Sequence, residues 1–168
     1  MNRYLIVMTA VPLLVSASAG QAAPKTYGCD TAAGRFSEFK ETVRAEGLVL
    51  RGTITPNEFR KDKRWAPSGW VRIGDDDTNV RIRLVADDSG AKEAYIFVST
   101  VNDGKTLEGT VGSVKIGQPV PFNLVVMENS VRVTVDGKST EVALTLPKDV
   151  EVSMACSTGD FVFENVEW

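Results

Sequence analysis

The 168-residue chain contains no histidine and only two cysteines. The first absence excludes Ser-His-Asp and Cys-His hydrolysis, His-ligated zinc and haem held by a proximal His. The second excludes a zinc or iron–sulfur cage built from the chain's own thiolates. A long apolar run is lacking as well: the most apolar stretch, Tyr4 to Val15, is interrupted by Pro12 and falls short of the roughly 20 residues that a membrane-spanning helix needs. Positive charge is not in excess, with 19 Lys and Arg against 22 Asp and Glu, which argues against nucleic acid as a partner. No linker, repeat or low-complexity tract interrupts the chain, so one domain is expected.

What is present begins with an export signal. Arg3, the apolar segment Tyr4 to Val15, the small residues Ser16 to Gly20 and the exit Gln21-Ala22-Ala23 have the order of a secretory signal peptide. Cleavage is expected after Ala22, with Ala19 as the second choice, leaving residues 23–168 as a single β-sandwich domain. Residues 1–22 contain Arg3 and no acid, so the mature chain opposes 18 basic to 22 acidic residues, a net charge of −4. The destination is periplasmic or extracellular, and there a lone cysteine pair reads as a bridge. Cys29 and Cys156 are therefore expected to form a disulfide; closing so long a loop is worth about 4–5 kcal/mol in the chain-entropy account.

From Gly47 onward apolar residues recur with a period of two, as in Val80, Ile82 and Leu84, in Phe122, Leu124 and Val126, and in Val131, Val133 and Val135. Gly, Asp, Asn or Pro interrupts the pattern every few residues, including Asp75 to Asn79, Asn102-Asp103-Gly104 and Asp136-Gly137. This is the pattern of an antiparallel meander, and about ten strands follow from it. The segment Ser37 to Glu46 reads as a helix with Phe36, Phe39 and Val43 on one face, or else as coil with one extra strand. Ten strands in one open sheet would leave long exposed edges, so a two-sheet antiparallel jelly-roll is expected rather than a closed barrel.

The stretch Pro121 to Gly137, in which a strand leads through Glu128-Asn129 into a second strand ending Val135-Asp136-Gly137, and the closing segment Phe161 to Val166 resemble the concanavalin A-like lectin/glucanase superfamily, which includes laminin-G-like modules. The resemblance covers Gly47 to Trp168 and implies a β-sandwich with a glycan-binding or glycan-cleaving role. The Glu-x-Asp-x-x-Glu strand of its laminarinase-like members is missing, because Asp149-Val150-Glu151 stops after two acids. The His and Tyr-x-Lys of its alginate-lyase-like members are missing too.

Strand parity places Trp70, Arg72, Arg81 and Arg83 on the face opposite Val71, Ile73, Val80, Ile82 and Leu84. With Trp65, which closes the basic loop Arg60-Lys61-Asp62-Lys63-Arg64, these form the expected ligand-binding set, aromatic faces for a sugar ring and guanidiniums for uronate or sulfate. The competing reading is a solvated face whose arginines pair with Glu93 or with Asp75 to Asp77. The oxygens of Asp75 to Asn79 are spaced as in a calcium loop, but Val80 and Ala86 stand where an EF-hand needs Gly and Glu; no cofactor or metal is expected, with calcium as the exception to test. Glu141 and Glu151, taken to lie on neighbouring late strands, are the carboxylate pair a glycan hydrolase would use. The preferred function is a non-catalytic module binding a glycan or anionic envelope polymer. Behind it stand the hydrolase and a structural protein whose partner is another envelope protein.

Overall fold

The computed structural model describes residues 23–168; the expected signal peptide lies outside the described residues. Twelve strands form two six-stranded antiparallel sheets, so the sandwich expected from the alternation is observed. The first sheet runs in the order β1 (Lys25–Asp30), β12 (Gly159–Glu167), β3 (Val49–Phe59), β8 (Val120–Val126), β9 (Ser130–Val135) and β10 (Lys138–Ala143). The second runs β2 (Phe36–Arg44), β11 (Asp149–Ser157), β4 (Ser68–Gly74), β5 (Thr78–Val85), β6 (Glu93–Asn102) and β7 (Lys105–Lys115). No helix among the described residues is long and apolar enough to cross a membrane.

Alternate residues of the inner strands enter the space between the sheets. Leu50, Ile54, Leu124, Val133, Phe161 and Phe163 come from one side, and Val71, Ile73, Ile82, Leu84, Ile96 and Met154 from the other, all essentially inaccessible to water. Burying such side chains is worth about 1.5–3 kcal/mol each. The hairpins close as their turn residues require: Asp103-Gly104 and Asp136-Gly137 each hold two consecutive positive φ angles, the backbone of a two-residue turn matched to the sheet twist.

Two expectations are corrected. The helix expected at Ser37 to Glu46 gives way to its strand alternative: the segment is β2, paired with β11 from Ser37↔Cys156 to Arg44↔Asp149, and a partner more than 100 residues away in sequence supplies its hydrogen bonds, which no local period reveals. Glu141 and Glu151 are not on neighbouring strands. Glu141 lies on edge strand β10 of the first sheet opposite Arg132, and Glu151 on β11 of the second opposite Thr42. Because Thr140 and Val142 pair with buried Val133 and Val131, Glu141 faces outward. Glu151 does the same between buried Val150 and Val152. The two carboxylates thus sit on opposite outer faces of the sandwich, too far apart to flank one bond.

The disulfide is formed between Cys29 and Cys156, with Cα atoms 5.9 Å apart. Cys29 lies on β1 at the rim of the first sheet and Cys156 on β11 inside the second, so the bridge fastens the two layers together.

Candidate functional site

Strand register sets the outer face of the second sheet. Trp70 on β4 lies opposite Arg83 on β5 and Ala155 on β11, while Arg72 lies opposite Arg81. Small Ala155 leaves room beside the indole, and Phe36, at the start of β2, stacks on Trp70 with ring centroids 5.5 Å apart and an interplanar angle of 25°. Such an offset pair is worth about 0.5–1.5 kcal/mol beyond its buried area. Phe36 remains 55% exposed.

The β3–β4 loop completes the site. One carboxylate oxygen of Asp62 accepts the N–H groups of Arg64 at 2.8 Å and Trp65 at 3.1 Å, an Asx-type turn that holds the loop. Pro67 accepts the Ala86 N–H at 2.9 Å. Trp65 is thereby held at the surface, 57% exposed. Arg60, at the loop's start, is tied to Glu58, to Asp30 and to the Thr31 carbonyl, and the bonds to Glu58 and Asp30 raise its pKa further. From the other side, Thr158 anchors the β1–β2 loop: its N–H donates to the Arg35 carbonyl at 3.2 Å, and its hydroxyl accepts the Gly34 N–H at 3.3 Å.

Between these elements opens a cleft of about 440 Å³ whose side chains include Arg35, Phe36, Trp65, Trp70, Arg81 and Arg83, with no carboxylate in its lining. Four of the five expected ligand-binding residues are gathered here. Arg72 is not among them. Its side chain is only 10% exposed and faces Asp76 at 2.8 Å, Glu151 at 3.5 Å and Glu38 at 3.9 Å; in return, the Arg72 guanidinium holds the Asp76 carboxyl below its ordinary pKa. Arg83 pairs with Glu108 at 3.0 Å and lies over the Phe97 ring. Glu93 instead accepts the Ser113 hydroxyl at 3.1 Å.

Arg35 and Phe36 escaped the sequence reading. The helical reading puts Phe36 on one face with Phe39, whereas the strand turns these two residues to opposite sides. The alternation of Glu38, Lys40 and Thr42 with Phe39 and Val43 was the available signal.

The acidic turn serves itself. Asp75 accepts the N–H groups of Asp77 and Thr78 at 2.9 and 2.7 Å, and its carbonyl accepts the Asn79 amide. No cluster of three His, Cys, Asp or Glu side chains suited to a metal occurs among the described residues. A larger cleft, about 580 Å³, lies between the β2–β3, β8–β9 and β10–β11 loops and carries Glu46, Glu128 and Lys148 but no aromatic ring.

No protein-family model matches the chain, and no curated protein is similar to it in sequence. Its fold is similar to solved structures at low identity. Galectin-1-L2 of Dario rerio superposes with a TM-score of 0.55 at 11% identity, over 80% of this chain and 100% of that one. The CBM2 module of the evolved Dit of Lactobacillus casei BL23 phage J-1 gives 0.52 at 10%, over 90% and 79%. An alginate lyase from Alteromonas sp. 272 gives 0.50 at 13%, over 91% and 70%. These are likenesses of fold, within the jelly-roll β-sandwiches of lectins and polysaccharide lyases.

Proposed function

We propose that this protein is an exported, non-catalytic module that binds a carbohydrate, and that the sugar is an acidic one. One observation carries the reading: a single cleft joins the Phe36–Trp70 stack and exposed Trp65 to Arg35, Arg81 and Arg83 without any carboxylate in its lining. Aromatic faces bury the apolar C–H face of a sugar ring, and a guanidinium fork matches the two oxygens of a uronate or sulfate. Support in kind comes from the folds it resembles, which include a galectin, a carbohydrate-binding module and an alginate lyase. Since fold does not carry function, the cleft bears the weight. The Cys29–Cys156 bridge supports export to the periplasm or beyond. The hydrolase alternative loses its carboxylate pair to the topology.

Titration calorimetry with oligogalacturonate tests the reading. Trp70→Ala is expected to weaken binding by about tenfold while far-UV circular dichroism stays unchanged, and Trp65→Ala to weaken it less. Undiminished binding by a folded Trp70→Ala variant removes this site.

A further inference from the structure

We infer that Arg81 is the residue by which this cleft selects a carboxylate or sulfate over a neutral group. The inference deepens the carbohydrate reading above and rests on it for the sugar, though not for the anion. Three arginines are adjacent on the outer face of β4 and β5, Arg72 opposite Arg81 and Arg83 two residues along, and they differ in one respect. Arg72 faces three carboxylates and Arg83 faces one. Arg81 has no carboxylate within 4.0 Å among the described residues; its one polar side-chain contact is from Nε to the buried Ser99 hydroxyl at 3.4 Å.

Arg81 is nevertheless half-buried. Burial, followed by the neighbouring Arg83 and Arg72 charges, pulls its pKa down, yet a guanidinium stays protonated. A half-buried cation between two like charges is destabilising unless something neutralises it. The chain brings no carboxylate into contact with it, Glu108 and Asp76 acting on it only from beyond 4.0 Å, while the cleft exposes the group to ligand beside Arg83 and Arg35. An oxyanion seated there receives charge-assisted N–H bonds and removes the repulsion in one step. The arrangement sacrifices stability for binding, as functional sites often do.

Arg81→Met and Arg81→Lys in the mature chain test this. Without ligand, Arg81→Met is expected to raise the melting temperature, since a partly desolvated charge with no contacting carboxylate is removed. It is expected to weaken oligogalacturonate binding by about tenfold or more and to weaken binding of an uncharged cello-oligosaccharide far less. Arg81→Lys, a point charge without the fork, lies between. Sodium sulfate, compared with sodium chloride at equal ionic strength, is expected to stabilise the wild type more than Arg81→Met, because only a specific site depends on Arg81. Equal losses on acidic and neutral sugars, or a melting temperature lowered by Arg81→Met, overturn the inference. Sugar binding indifferent to both Arg81 and sulfate removes the anion subsite and leaves the carbohydrate reading standing. Arg81-dependent sulfate stabilisation with neither sugar bound removes the carbohydrate reading and supports the anion site.

Discussion

Arg72, Arg81 and Arg83 carry the same charge on the same sheet face, and their surroundings divide them into a clamp held by three carboxylates, a cation with no carboxylate in contact and a cation paired with Glu108. Asp76 shows how the clamp works. It is fully exposed, but the bond to Arg72 lowers its pKa from the ordinary 3.8. A carboxylate whose pKa falls on folding contributes stability above its unfolded value and loses it as pH drops through the folded one. Asp76→Asn is therefore expected to lower the urea midpoint slightly at pH 7 and to make no difference once the pH lies below the folded-state pKa; a constant difference across that range refutes the assignment. Parity made the face of these arginines legible, since successive side chains must alternate. Which arginine is compensated was not legible, because Glu38 and Glu151 come from β2 and β11, 34 residues before and 79 residues after Arg72 in the chain.

Strand β4 shows the same division for an element. Val71 and Ile73 announce it by alternation, and Asp75 announces its turn. Gly69, its second residue, acquires its meaning only from packing: a Cβ there would lie 2.5 Å from Cδ1 of Phe161, a core ring fully shielded from water. Gly69→Ala is expected to cost about 1–3 kcal/mol in urea unfolding and to disturb the adjacent Trp70 platform, seen as a shifted tryptophan emission maximum. An unchanged midpoint contradicts the close approach. Strand β2 was the element least legible in advance. Its apolar residues fit a helical spacing about as well as an alternating one, and pairing with β11 decided the matter.

For the whole molecule, the bridge between β1 and β11 fastens one sheet to the other across a sequence separation of 127 residues. The double variant Cys29→Ala/Cys156→Ala is expected to lose about 4 kcal/mol by the chain-entropy account, a fall of roughly 10 °C in calorimetry for a chain of this length. Loss below about 1 kcal/mol would mean that strand pairing already confines the ends. By itself, the amino-acid sequence determined the two-layer β architecture, the hairpin turns, the cysteine pair and the outward direction of Trp70 and its arginines. Each follows from chain geometry or composition over a few residues. Tertiary structure alone decided that β2 is a strand, that Phe36 and Arg35 complete the cleft, that Glu141 and Glu151 are separated, and that Arg81 is left without a counter-ion. Those facts depend on which strands become neighbours, and neighbours are chosen by burying apolar faces across long loops, an outcome of the whole chain that no local pattern encodes.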